Sequence, residues 1–427
     1  MKDVKHAVFI VLIFIISQNS LFTQVYWIPK QSPVRTLLNK CTFADTLNGW
    51  ACGESGAILH TSDGGENWVQ QYSHNDYLLE DICFINSRIG WCIGNDYSHL
   101  KTIIFNTSNG GLNWSVNPYP DTTLILNTIY FLDSLNGYMG GFEGTILKTT
   151  DAGNVWKLMR VDSSLYFKYP ISNFRFFNSQ MGVACGGIIE FGGVLWKTTN
   201  YGYNWIAFLI GPEPIRDVVY LDSANAFATG GDFDLGANFV TTKNNWVNYD
   251  YFFLGFFGTG RAIAMRTGNE LWVPLGFSIG WAVSLDAARS WQLITDNDSE
   301  AVYDALFVDS THGWAVGEYG KVYKFNKEII GIKNKGENSP VSFKLYQNYP
   351  NPFNPVTKIY YELPENSYIK LSVYDVLGRE VTSLVDGEMP RGKHESDWNA
   401  SGLSSGVYFY KIEAGTYSQT KKMVLLK

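Results

Sequence analysis

Short runs of alternating apolar and polar residues, each closed by Asp, Asn or Gly, recur along this chain. Segments such as Ile129 to Asp133 and Ala305 to Asp309 are aromatic or β-branched and end at a turn former, the pattern of strands. Outside the amino terminus no window sustains apolar spacing at the helical period. The stretch TFADTLNGWACGESGAILHTSDGGENW, Thr42 to Trp68, holds the whole unit. It has a strand end at Phe43, a turn from Asp45 to Gly49, a second strand, and a tight box from Thr61 to Trp68. In the copies NTIYFLDSLNGYMGG and YDALFVDSTHGWAVG, Asp133 or Asp309 starts the turn, and Gly137 or Gly313 is expected to let the chain reverse.

Tryptophan ends the box at Trp68, Trp114, Trp156, Trp205, Trp246 and Trp291, with an unboxed Trp27 ahead of them. The intervals are 41, 46, 42, 49, 41 and 45 residues, the length of one four-stranded propeller blade. Strand-turn-strand openings lie at Phe43, Phe84, Phe131, Phe176, Tyr220, Met265 and Phe307, and the last has no box after it. Trp27 has a box-end strand but no opening. Joining the two predicts an all-β, seven-bladed β-propeller over residues 24–326, closed by the amino-terminal strand and free of exposed edges.

In TSDGGENW, TSNGGLNW, TTDAGNVW and TTNYGYNW, the Asp or Asn is placed to bond backbone amides of its own turn while a glycine takes positive φ. The residues are Asp63, Gly65 and Trp68; Asn109, Gly111 and Trp114; Asp151, Gly153 and Trp156; and Asn200, Gly202 and Trp205. Each Trp is expected to bury its ring between neighbouring sheets. These boxes resemble the Asp-box, or bacterial neuraminidase repeat; the copies before Trp246 and Trp291 are degenerate. The longer pattern FxDxxxGWxxGxxGxIxxTxDGGxxW, over residues 27 to 325, is similar to the photosystem II assembly and stability factor family of seven-bladed propellers. That resemblance implies a protein partner held through an Arg-rich patch. Here the domain is acidic instead.

Charge divides the chain. Residues 1–342 carry 23 basic and 31 acidic side chains, a balance that disfavours nucleic acid as a partner. Lys2 and Lys5 precede the apolar run Ala7 to Ile16, which is too short to span a bilayer and reads as a signal peptide over residues 1–23. No transmembrane helix is expected in the mature protein. Residues 327–342, polar with Gly and Pro, read as a linker. Residues 343–427, with 10 basic and 9 acidic groups, form short alternating strands of a small Ig-like β-sandwich. The segment Tyr349 to Pro355, VYDVLGREV, SGLSSGVYFYKI and a basic tail ending MVLLK resemble the type A carboxy-terminal sorting domain of the type IX secretion system. The resemblance implies Sec export, passage across the outer membrane by the type IX machinery, and a cell-surface or extracellular destination. By that match Gly378, Arg379, Gly406, Tyr408, Lys421, Lys422 and Lys427 are the sorting residues; turns alone would also account for Gly378 and Gly406.

Candidate chemistry is sparse. If Phe43 faces Trp50, then Cys41 faces Cys52, and by the same register Cys83 faces Cys92; the pairs are either disulfides or small apolar fillers. The six His are scattered, and neither CxxC pairs nor HExxH occur, so no metal or cofactor is expected. A sialidase-type glycoside hydrolase needs three Arg and a Tyr-Glu pair. Arg35, Arg175 and Arg216 stand in only loosely comparable contexts, and the reading is non-enzymatic. A protein or glycan ligand is placed at the channel entrance, where the openings align Lys40, Asp81, Thr128, Asn173, Asp217 and Asp304 as a polar, solvated ring. The stretch YDYFFLGFF, Tyr249 to Phe257, is expected to be blade core.

Overall fold

The computed structural model describes residues 25–96, 98–162, 168–295, 300–327, 343–348, 350–390, 392–415 and 417–426. The expected signal peptide, most of the expected linker, Tyr349 and Lys427 lie outside them. The chain divides into two compact units between Asn326 and Lys327.

The first unit is a propeller of seven antiparallel sheets, each a meander that starts at the channel and ends at the rim. Blade 1 is Leu38–Phe43, Gly49–Gly53, Ile58–Thr61 and Val69–Tyr72; blades 2 to 6 open at Tyr77, Leu126, Ile171, Ile215 and Ala264. Blade 7 takes Val302–Phe307, Gly313–Gly317 and Val322–Phe325 from the end of the unit and its rim strand, Trp27–Lys30, from the start. Trp27 opposes Phe325 and Lys30 opposes Val322. One departure breaks the meander rule. After the two-residue rim strand Lys157–Leu158 of blade 3, the chain crosses over, and Arg160–Asp162 adds to blade 4 parallel to Asn204–Ile206.

Aromatic packing joins the blades, through the box tryptophans, as with Trp205 on Tyr138 of blade 3 and Trp291 on Phe239 of blade 5, and through a second set of rings. Trp314, Trp50 and Trp91, on second strands, lie flat against Phe43, Phe84 and Phe131 of the following blade, each with ring centroids 3.5 Å apart. Their indole N–H groups donate to the box carbonyls of Gly64, Gly110 and Ala152 in that same blade. The box residues Trp68, Trp114 and Trp156 meet the Phe of their own blade edge-on, and Trp68 also packs in one cluster with Val316 and Val322 of blade 7. Gly137 and Gly313 do not reverse the chain. They begin second strands, and a Cβ there would lie 2.6 or 2.4 Å from the ring of Phe131 or Phe307. The turns are made by Asp45, Asp133 and Asp309, whose carboxylates each accept two backbone N–H groups.

That same packing moves the cysteines. Because the Phe43 ring occupies the space above Gly49, Phe43 pairs with Gly49, not with Trp50, so Cys41 opposes Ala51 and Cys52 opposes Lys40. In blade 2 Cys83 opposes Trp91 and Cys92 opposes Ile82. A slip of one residue reverses the face of every side chain. Neither cross-strand disulfide forms, and all five cysteines are free thiols. Cys52 meets Cys92 of the next blade, and Cys83 Sγ accepts the Phe131 N–H at 3.4 Å.

Each box is closed by its own side chains. Thr61 Oγ1 accepts from Gly65 N at 3.0 Å and donates to Asp63, whose carboxylate also accepts from Asn67 N at 3.0 Å. Thr107 with Asn109, Thr149 with Asp151, and Thr198 with Asn200 repeat this, and so do the degenerate copies at Thr242 with Asn244 and Ser284 with Asp286. In blade 5 the alignment shifts: Trp246, at φ 63°, fills the place of Gly65, and Tyr249 that of Trp68.

The Asn67 N–H, with its side chain and Thr61, holds the Asp63 carboxyl down at about 2. A carboxyl whose folded pKa is depressed adds stability above its unfolded value of about 4, and loses it as pH falls through the folded value. Asp45, Asp133, Asp151, Asp222 and Asp286 are shifted the same way. Urea midpoints should therefore drop steeply between about pH 4 and pH 2. Asp63→Asn should cost about 1 kcal/mol at neutral pH and shrink that drop. A flat acid profile would exclude the boxes and turns as charge-dependent staples.

The second unit is a two-sheet sandwich. One sheet holds Lys344–Leu345, Val356–Leu363 and Gly392–Asn399; the other orders Glu380–Met389, Ser367–Tyr374, Gly406–Ala414 and Tyr417–Leu425. Ile359, Tyr361, Leu371, Tyr410 and Met423 fill the space between them. Gly378 turns the chain at φ 78°, and Arg379 beside it pairs with Asp375 at 2.7 Å. Gly406 lies at a strand start, without the positive φ that a turn role would need. Tyr408 is 8 % exposed and donates to Ser404 O, while Lys421 and Lys422 lie on the last strand, half-buried and exposed.

Candidate functional site

Inner strands present one unpaired edge to the channel, so their N–H groups need acceptors from elsewhere. Each of six inner strands carries a bulge at the same place, at Leu38/Lys40, Leu79/Asp81, Leu126/Thr128, Ile171/Asn173, Ile215/Asp217 and Val302/Asp304. The residue after the bulge is the aligned polar position. It is not a solvated ring: Asp81, Thr128, Asn173, Asp217 and Asp304 are 0 to 7 % exposed.

Three of these carboxylates reach to the next blade. Asp304 accepts the Cys41 N–H at 2.9 Å and pairs with Lys40 at 3.1 Å. Asp81 accepts the Thr128 hydroxyl at 2.7 Å and the Ile129 N–H at 3.0 Å. Asp217 accepts the Ile263 N–H at 3.1 Å and the Asn173 amide at 2.9 Å, and pairs with Arg175 at 3.1 Å. Burial pushes the Asp81 and Asp304 carboxyls up, against the pull of Lys40. Lys40 loses solvation but is raised overall by Asp304, Asp217 and Asp81. Between them lies a cavity of about 140 Å³, lined by Lys40, Asp81, Tyr130, Arg175 and Asp304 among others. That is space for a few waters, not for a drug-sized ligand. The aligned ring is an interblade latch.

A second set of polar groups lies one residue nearer the start of the inner strands. Arg216 is the bulge residue of blade 5, Tyr303 that of blade 7, and Arg261 precedes the inner strand of blade 6. The Arg261 guanidinium lies over the Tyr303 ring at 4.4 Å. Burial, with the repulsion of Arg261 added and against the pull of Asp232, pushes Arg216 down to about 10. The Nε atoms of both arginines are buried without a hydrogen-bond partner, and among the described residues neither pairs with a carboxylate.

In a four-stranded meander, the hairpins between second and third strands lie at this same end. In blades 4 to 6 they are apolar at the tip: Phe191 is 70 % exposed, Phe233 54 % and Leu235 53 %. Phe257, 68 % exposed, meets Phe277 at 5.3 Å. The aromatic run Tyr249 to Phe257 is thus divided: Phe252, Leu254 and Phe256 are half-buried against the core, while Tyr249, Phe253 and Phe257 are exposed. The sialidase arginines do not converge. Arg175 is held by Asp217, Arg216 lies beside Arg261, and Arg35 is exposed.

Arg261 and Tyr303 are not visible in the aligned sequence. Blade 6 has Ala262 where the others have a polar residue, so its opening hides the neighbouring Arg261. For Tyr303 the signal is the bulge between Val302 and Asp304; Arg261, three residues ahead of the blade 6 inner strand, has no such mark.

The class is that of a seven-bladed β-propeller carrying a carboxy-terminal sandwich. Residues 347–426 match the family described as the secretion system C-terminal sorting domain, and residues 20–120 match photosynthesis system II assembly factor YCF48. The Photosystem II assembly lipoprotein Ycf48 of Nostoc sp. is 23 % identical over 348 residues, covering 71 % of this chain and 87 % of that protein. The solved structure of YCF48 bound to D1 peptide superposes with a TM-score of 0.58 at 21 % identity, over 71 % of this chain and 97 % of the other. An ancestral GH74 enzyme shares the fold with a TM-score of 0.53 at 14 % identity, over 92 % of this chain and 60 % of its own. The sorting domain marks the protein for type IX secretion, to the cell surface or the surrounding medium. Among the described residues no helix is long and apolar enough to cross a membrane.

Proposed function

We propose that the propeller is a non-catalytic binding protein that takes a protein segment bearing a carboxylate at the mouth formed by blades 5 to 7. The observation that carries this is the pair Arg216 and Arg261, two adjacent cations whose Nε donors have no partner, beside exposed apolar hairpins. A buried donor without an acceptor costs about 1–3 kcal/mol, which an incoming carboxylate would recover. The apolar tips supply area that a charged segment alone would not. YCF48, of like fold, has been solved with a peptide bound, which supports a peptide as the ligand class. The acidic latch residues, being committed to blade contacts, take no part.

A photo-crosslinking residue placed at Phe191 or Phe257 in the full chain, on intact cells, should give a discrete adduct. The same residue at Leu112, on the opposite end and 80 % exposed, should not. Arg216→Gln with Arg261→Gln should weaken capture about 100-fold, and added salt should weaken the wild type. Adducts that form equally from Leu112, or that survive the double substitution, would refute the reading.

A further inference from the structure

Blade 3's rim strand stops after Lys157–Leu158, whereas that of blade 2 runs from Ser115 to Pro118. The chain of blade 3 has left for the edge of blade 4, and three of the four residues of the blade 2 rim strand are exposed. Beside it opens a cleft of about 620 Å³, within the range of small-ligand sites, about 300–1,000 Å³. One wall is the outer part of blade 2 and the segment Pro118 to Asp121; the other is the box of blade 3, Ala152 to Trp156.

Its chemistry is of one kind. Trp156 and Tyr119 are half-buried rings, which pairs an apolar body with an accessible surface. Asn106, Asn117 and Asn154 are exposed amides, each able to donate and accept, and Asp121 adds a carboxylate. Asn117 Nδ2 donates to Ser115 Oγ, which orients that amide in the cleft wall. Asp121 is held ionised by the Thr123 hydroxyl and N–H. Neither lysine nor arginine lines the cleft, so it offers nothing to a phosphate or a carboxylate. Amides and a carboxylate match hydroxyl groups, which donate and accept together, while rings cover C–H faces.

We infer that this cleft between blades 2 and 3 binds a neutral oligosaccharide, at a site separate from the arginine mouth. Such a ligand suits a protein exported to the surface, where neutral glycans are exposed. The two sites lie on different blades and rely on different groups, so either can fail alone.

The test is calorimetric titration of the full chain with cellotetraose, N-acetylchitotetraose and maltotetraose at up to about 1 mM. At least one should bind. Asn117→Ala with Asp121→Ala should weaken it ten-fold or more, and Tyr119→Ala should do likewise. Arg216→Gln with Arg261→Gln should leave it unchanged. No heat with any of the three sugars, or binding indifferent to the cleft substitutions, would overturn the inference; circular dichroism of each variant excludes misfolding as the cause.

Discussion

Trp27→Ala is expected to lower the stability of the propeller by about 3–5 kcal/mol, the cost of truncating a buried tryptophan. The ring is 2 % exposed and stacks on Trp281 of blade 6 at 4.8 Å, with Trp272, Phe307 and Phe325 within 6 Å of it. It also anchors the strand that closes the circle. Lys30 of that strand and Lys324 of its neighbour both pair with Glu66 of blade 1, so loosening Trp27 loosens the joint between first and last blades. The melting temperature should fall by at least about 6 °C, and amide exchange should rise first in Val322–Phe325, which loses its rim partner. Leu112→Ala, on an exposed box tip, serves as the control and should change stability by under about 0.5 kcal/mol. An unshifted melting temperature for Trp27→Ala would mean that the ring does not depend on its amino-terminal strand.

Asp217→Ala should be comparably damaging. The carboxylate is 1 % exposed, and its loss strands the Arg175 guanidinium, the Asn173 amide and the Ile263 N–H together. Breaking one side of a buried ion pair costs about 3–5 kcal/mol, whereas replacing both sides by apolar groups is often close to neutral. Asp217→Leu combined with Arg175→Met should therefore recover a large part of what Asp217→Ala loses, in urea denaturation of all three variants. If Asp217→Ala is silent, the channel carboxylates are not interblade latches, and a ligand role for that ring returns to consideration.

Much of the architecture is legible in the chain because a repeat states its unit several times. Thr61, Asp63, Gly65 and Trp68 recur with spacing so regular that the box can be read without coordinates. The sorting domain is legible for a similar reason, since its segments keep their order and composition. The register of the first hairpin was not. Strand alternation alone leaves Phe43 free to oppose Trp50 or Gly49; the choice falls to the ring of Phe43, which needs a residue without a side chain beneath it. The disulfide pairs depended on the other register and fell with it. The aligned channel residues were found in the sequence, but their state was not, because polar residues in a row look alike whether they face water or the backbone of a neighbouring blade.

The sequence by itself determined the number of blades, the export module and the Thr/Asp hydrogen bonding of the boxes, since these rest on local spacing and on side chains acting within a few residues. Tertiary structure alone decided which strands abut across blade boundaries, that Asp81, Asp217 and Asp304 spend their charge on the next inner strand, and that Arg216 and Arg261 stand together with no close ion pair among the described residues. Those outcomes depend on distances between residues far apart in the chain. Desolvation and pairing are properties of such encounters, and no residue carries them alone.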